Sequence, residues 1–159
     1  MSGRLDELNR MKLGDFPAFY RTLEIPDLTA LDGNFRGAFV GPTWLRRIAG
    51  PGLIITGLGG WRGKHFTDYG NAVNLVMRNE VLKEVFPMTL VKGPSLIDGL
   101  PGLRLHYESD NPFPWPFIVD ELRQIEPGLL LGMTFIKAKM LRGLVLPFTL
   151  QYQEQIDGL

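Results

Sequence analysis

Cysteine is absent from this chain and histidine nearly so, with two in 159 residues. Without cysteine there is no thiol nucleophile, disulfide, Cys-ligated zinc or iron–sulfur cluster, although a thiol-free chain tolerates either redox environment. Excess charge of one sign is missing too, because 17 basic residues balance 17 acidic ones. Such a chain has no field to hold nucleic acid. The N-terminus, Met1-Ser2-Gly3-Arg4-Leu5-Asp6-Glu7-Leu8, lacks the apolar centre of a secretory signal, and no stretch reaches the ~20 apolar residues of a membrane span. These absences lead to the expectation of a soluble, cytoplasmic protein.

Glycine and proline are abundant. Nineteen Gly and twelve Pro make up roughly a fifth of the chain, yet 45% of residues are hydrophobic; average usage is about 12% for the two together. An apolar fraction that high excludes disorder, and the combination describes short strands joined by tight turns. The length suits one domain. It divides into a helical extension over 1–30, a barrel or sandwich over 31–155 and a tail at 156–159.

Phe16, Phe19, Tyr20 and Leu23 follow helical spacing and predict a helix over 15–24, with Asp15 as its N-cap and a looser helical lead-in over 4–12. From there the period changes toward two. Strands are predicted over 34–40, 64–68, 72–78, 88–92, 103–108, 129–137 and 145–152. Residues 117–126 fit either period, and the Pro127-Gly128 turn signal favours a strand that enters a hairpin. Two connections stand out. Residues 41–59 hold Trp44, Leu45, Ile48, Leu53, Ile54 and Ile55 around Arg46-Arg47, the makings of a short amphipathic lid. Asn111-Pro112-Phe113-Pro114-Trp115-Pro116 alternates proline with aromatics and is expected to run extended and stiff.

Gly33-Asn34-Phe35-Arg36-Gly37 and Gly60-Trp61-Arg62-Gly63-Lys64-His65-Phe66 each set an aromatic ring among glycines. This suits a strand whose ring packs into a barrel floor while a neighbouring backbone passes close. Gly33, Phe35, Gly37, Gly60, Trp61, Gly63 and Phe66 are therefore the expected structural motif. The pair resembles the opening of GxWxG-type proteins, with Phe35 where that family carries Trp. His106 to Pro112, Ile118 to Arg123, Leu131-Gly132-Met133 and Phe148 to Tyr152 resemble, in order, the C-terminal domain of unknown function that accompanies it. The resemblance spans residues 31–153. It implies a single antiparallel lipocalin-like (calycin-type) β-barrel of eight or more short strands, a class that commonly encloses a small apolar ligand. It transfers no catalytic residue.

Neither His65 nor His106 has a partner at metal-ligand spacing, so no metal and no cofactor are expected. Arg104, His106 and Glu108 share one side of a strand, with Leu105 and Tyr107 on the other. Turned inward, the polar side is a ligand-orienting patch; turned outward, it is a solvated face. Glu121 and Arg123 likewise share a side opposite Asp120, which rules out Asp120 and Glu121 as a facing acid–base pair. Arg62 and Lys64 flank Gly63 and share a face beside Trp61, placed to hold a ligand carboxylate or to stack a cation on the ring. The candidate ligand-binding set is thus Trp61, Arg62, Lys64, Arg104, His106 and Arg123, and the candidate proton carriers are His106, Asp120 and Glu121. No nucleophile elbow, P-loop or dinucleotide fingerprint is present.

The leading expectation is a barrel that binds a small lipophilic ligand. The alternatives are an acid–base enzyme acting on a hydrophobic substrate and an interaction module with a packed barrel. Nucleic acid and stable membrane insertion are not expected. A homodimer is compatible with the sequence, as is transient contact of the basic, apolar tract 137–150 with a membrane surface.

Overall fold

The glycine-spaced segment Gly33–Phe39 forms strand β1, and it pairs with β2 (Trp61–Thr67) on one side and with β8 (Leu146–Tyr152) on the other. Between them run β3 (Asn71–Arg78), β4 (Val81–Pro94), β5 (Pro101–Tyr107), β6 (Ile118–Glu126) and β7 (Leu129–Ile136). Each strand is antiparallel to its sequence neighbours, and the β1–β8 ladder closes the sheet into an eight-stranded barrel. The computed structural model describes residues 2–67, 70–137 and 146–156. Most of the tract 137–150, with its basic centre, lies outside the described residues.

Segment 117–126 is a strand from Ile118. Asn111 to Pro116, by contrast, does not run extended: Trp115 N–H donates to Pro112 O and Phe117 N–H to Pro114 O, so the segment folds through two consecutive turns. Trp115 is thereby carried inward against Tyr107 and Phe86, at ring separations of 5.0 and 5.7 Å. Strand β4 begins at Val81 rather than at residue 88. Pro87 obscures it, since proline in a strand sits at an edge or a bulge. Here Ala72 opposes Met88 while Asn74 opposes Val85, which leaves one extra residue on β4, and Phe86 takes a φ of 53° beside it.

Two apolar cores result. One fills the barrel with Phe35, Phe66, Val76, Leu122 and Phe148, among others. The second lies outside, where Leu8 of α1 (Ser2–Arg10) and Phe16 and Tyr20 of α2 (Phe16–Arg21) cover Leu131, Met133 and Phe135 of β7. Because β7 is covered on both faces, its sequence Leu-Leu-Leu-Gly-Met-Thr-Phe-Ile is an almost unbroken apolar run instead of an alternation. Asp15 precedes α2 in helical conformation and makes no side-chain cap bond.

Arg123, fully buried on the outer face of β6, fastens these helices. Its guanidinium makes two bonds to Asp98, at 2.7 and 2.9 Å, a third to Tyr20 O at 3.2 Å, and lies 4.5 Å from the Tyr20 ring centre. Its bond to Arg123 is the main cause holding the Asp98 carboxyl below its ordinary value. A carboxylate shifted down stabilises the fold above the ordinary carboxylate range and loses that contribution as pH falls through the lowered value. Arg123→Met is expected to cost about 1.5–3 kcal/mol at neutral pH and to speed amide exchange in α2. In urea titrations, the difference between Asp98→Asn and wild type is expected to shrink in acid. An Asp98→Asn deficit that persists unchanged in strong acid would contradict this assignment.

The 41–59 connection folds as α3 (Thr43–Ile55), a 13-residue helix with Pro51 inside it. Linking β1 to β2, α3 sits at the same barrel end as the 108–117 connection of β5 to β6. The Trp115 indole N–H ties the two by donating to Thr56 O at 2.7 Å. Leu45 and Ala49 of α3 are buried, while Trp44, Ile48 and Ile55 face outward, Ile55 at 85% exposure.

Candidate functional site

Strand β2 departs from strict alternation at the glycine the motif placed there. Trp61 opposes Val76 and Gly63 opposes Leu75, so two residues on β2 span one step of β3, a bulge at which Gly63 has φ 149°. The bulge shifts the phase of the strand. Trp61 and Lys64, three residues apart, both point into the barrel, whereas Arg62 turns its guanidinium to the carbonyls of Gly60 and Trp61. The expectation that Arg62 and Lys64 share a face is thereby overturned. Gly63 also has no room for a side chain, since a Cβ there would overlap Phe35 O. A Cβ at Gly37 would strike the Trp61 ring, and one at Gly132 would strike the Phe148 ring. Gly37 and Gly132 thus let the Trp61 and Phe148 rings lie across the neighbouring strand.

Lys64 is 2% exposed and Asp120 3%. The Lys64 ammonium lies 3.1 Å from Asp120 Oδ2, 2.9 Å from Asn74 Oδ1, 3.3 Å from the Tyr107 hydroxyl and 3.5 Å from Met88 Sδ. Thr134 Oγ1 donates to Asp120 Oδ1 at 2.8 Å, Trp61 Nε1 to Asn74 Oδ1 at 3.1 Å, and Asn74 Nδ2 to the Tyr107 oxygen at 3.1 Å. The rings of Trp61, Tyr107 and Phe148 surround the ammonium at 5.5 to 5.9 Å. Burial alone would push the Lys64 amine down, but the Asp120 carboxylate beside it and its hydrogen bonds to Asp120 and Tyr107 override it and the net direction is up. Burial likewise pushes the Tyr107 phenol up and keeps it protonated.

This cluster forms the polar side of a cavity of about 60 Å³ whose remaining wall includes Phe39, Leu53, Leu58 and Phe148. That is several times the ~10–15 Å³ one water needs, and too little for a long acyl chain. Leu53 of α3 lines both this cavity and an apolar groove of about 270 Å³ along the helix, which Trp44, Ile48 and Leu146 also line.

The other candidates lie elsewhere. Arg104 and His106 are on the outer face of β5 and border a surface groove with Leu96, Val119 and Phe135. His106 is pushed down by partial burial and by the cations of Lys137 and Arg104. Glu121 is on the outer face of β6, where its carboxylate accepts the Leu96 N–H at 2.8 Å and burial pushes it up. Arg123 belongs to the helix clamp. Of the three proton carriers, Asp120 alone reaches the cavity, and of the ligand-binding set, Trp61 and Lys64. Asn74, Tyr107 and Thr134 complete the cluster without having been singled out. Asn74 carries a visible signal, an amide in register with Ala72 and Val76 on an inward face, which must find partners there. Among the described residues no cluster of His, Asp and Glu is placed to hold a metal, and no helix is long and apolar enough to cross a membrane.

No family model matches the chain, and no curated protein matches it. Among solved structures it is similar to a crystal structure described as a protein from Thermomonospora curvata, with a TM-score of 0.72 at 16% identity, over 96% of this chain and 95% of that one. A likeness at that identity establishes the fold alone, a closed eight-stranded antiparallel barrel.

Proposed function

We propose that this protein binds a small lipophilic or amphipathic molecule in the barrel, its polar end against Lys64, Asn74, Tyr107 and Asp120 and its apolar body leading out beneath α3. The observation that carries this reading is an ion pair, an amide and a phenol on the wall of a cavity that is otherwise apolar. Stability does not call for them. Moving a carboxylate and an ammonium out of water costs several kcal/mol per ion, and a well-packed apolar pair of similar volume is often as stable or more so. An eight-stranded barrel is the size that holds one small ligand, and an apolar pocket with a few convergent polar groups is the usual form of a binding site. The resemblance to GxWxG-type proteins supports the same reading. A catalytic role would fall to Asp120, since His106 and Glu121 lie outside the cavity.

Leu53 is the natural gate, because it contributes to the cavity, to the groove under α3 and to the surface beside Trp61. Native mass spectrometry of the purified protein, before and after addition of 2-heptanone, 2-heptanol and heptanoate, is expected to show a one-to-one adduct. Leu53→Trp, which fills the passage, is expected to lose it. A folded wild-type protein that carries nothing and takes up none of the three would overturn the proposal.

A further inference from the structure

We infer that the ligand of this site presents a neutral carbonyl oxygen, which accepts the hydroxyl hydrogen of Tyr107; the inference rests on the binding reading above. The argument is an inventory of donors and acceptors. An indole N–H and an ammonium can only donate, and Trp61 Nε1 and Lys64 Nζ both lie on the same atom of the Asn74 side chain, at 3.1 and 2.9 Å. That atom must be the amide oxygen, which settles the orientation of the amide. Its other end, Nδ2, is then a donor directed at the Tyr107 oxygen, and Lys64 is a second donor to the same oxygen. Both lone pairs of the phenol are thus engaged. Its hydrogen has no acceptor among the described residues, although a buried donor left unmatched costs about 1–3 kcal/mol.

Charge narrows the class further. Lys64 and Asp120 neutralise each other, and each carboxylate oxygen already accepts one bond, from Lys64 or from Thr134. A carboxylate ligand would bring a charge into the cavity that meets no unpaired cation, and an ammonium would meet no unpaired carboxylate. An alcohol brings a hydrogen of its own, which needs one of the spare lone pairs of Asp120 or Thr134. A ketone, aldehyde or ester oxygen accepts from Tyr107 and adds no demand. The adjacent ammonium makes that phenol a stronger donor than a tyrosine in water.

Trp61 and Trp115 line the cavity, so intrinsic fluorescence reports occupancy. In titrations of wild type, 2-heptanone is expected to bind at least about tenfold more tightly than heptanoate or heptylamine, and Tyr107→Phe to weaken the ketone about tenfold. The carbonyl stretch of bound, carbonyl-labelled 2-heptanone is expected below its value in hexane. That measurement needs only wild type and decides the matter even if Tyr107→Phe folds poorly. Tighter binding of heptanoate, an unchanged affinity in Tyr107→Phe, or a stretch at the hexane value would overturn the inference and leave the binding reading standing. Binding of none of these compounds, nor of 2-heptanol, would remove both.

Discussion

Lys64→Met is expected to destabilise the protein by about 3–5 kcal/mol, because it leaves the Asp120 carboxylate buried without a countercharge. In a domain of this size that lowers the Tm by about 10 °C or more. The methionine keeps the apolar stem and the contacts with the surrounding rings, so the loss reports the charge rather than a void. Adding Asp120→Leu to Lys64→Met is expected to recover most of the stability, since it removes both ions together. The pH dependence follows from the upward shift of the amine. A cation held above its ordinary value stabilises the fold below the ordinary amine range and ceases to do so as pH rises through the raised value. The deficit of Lys64→Met is therefore expected to close in strong alkali, where the wild-type amine loses its proton. A double variant no better than the single one, in thermal melts at pH 7, would show that packing rather than the unpaired carboxylate sets the cost.

Gly63→Ala is expected to do more damage still, above about 4 kcal/mol, in the range where point substitutions become exceptional. Its φ of 149° lies where L side chains rarely go, and its Cβ would collide with Phe35 O, a backbone atom that no rotamer change can move. Gly37→Ala provides the contrast. There the obstacle is the ring of Trp61, so a Trp61→Leu change in the same chain is expected to restore part of the loss, a non-additivity of the kind shared contacts produce. No side-chain change is expected to rescue Gly63→Ala. Chemical denaturation of the three single and two double variants measures both cycles, and a Gly63→Ala protein within about 1 kcal/mol of wild type would show that the bulge is dispensable.

How much of this was readable in the sequence depended on whether a rule was purely periodic. Alternation placed Tyr107 and Leu105 opposite His106, and Asp120 opposite Glu121 and Arg123, and the barrel follows that pattern at both strands. Alternation failed at β2, because nothing local says that Gly63 interrupts the phase, and one bulge separates Lys64 from Arg62 and brings it to the cavity beside Trp61. It fails in a different way at Asn111 to Pro116, where the restraint proline places on its neighbours predicts stiffness although Pro112 and Pro114 accept the turn hydrogen bonds. Asn74 and Thr134 went unremarked because one amide and one hydroxyl gain meaning only when five strands bring them to the same point, and that convergence is a property of closure. The helix over 41–59 was within reach as an amphipathic lid, yet its glycines and Pro51 hid its length.

Closure also has a kinetic side. Phe35 pairs with Tyr152 and Gly37 with Leu150, so the ladder that seals the barrel joins the two ends of the folding unit, and its loop-closure entropy must be met before that ladder repays it. Until then β1 and β8 are open edges, and Lys64 and Asp120 face water. Once sealed, every strand is held on two sides, and no single strand can peel away without breaking two ladders at once. The polar cluster is therefore enclosed only when that ladder forms, and on the binding reading proposed above a ligand would exchange through the α3 end rather than through a parted wall.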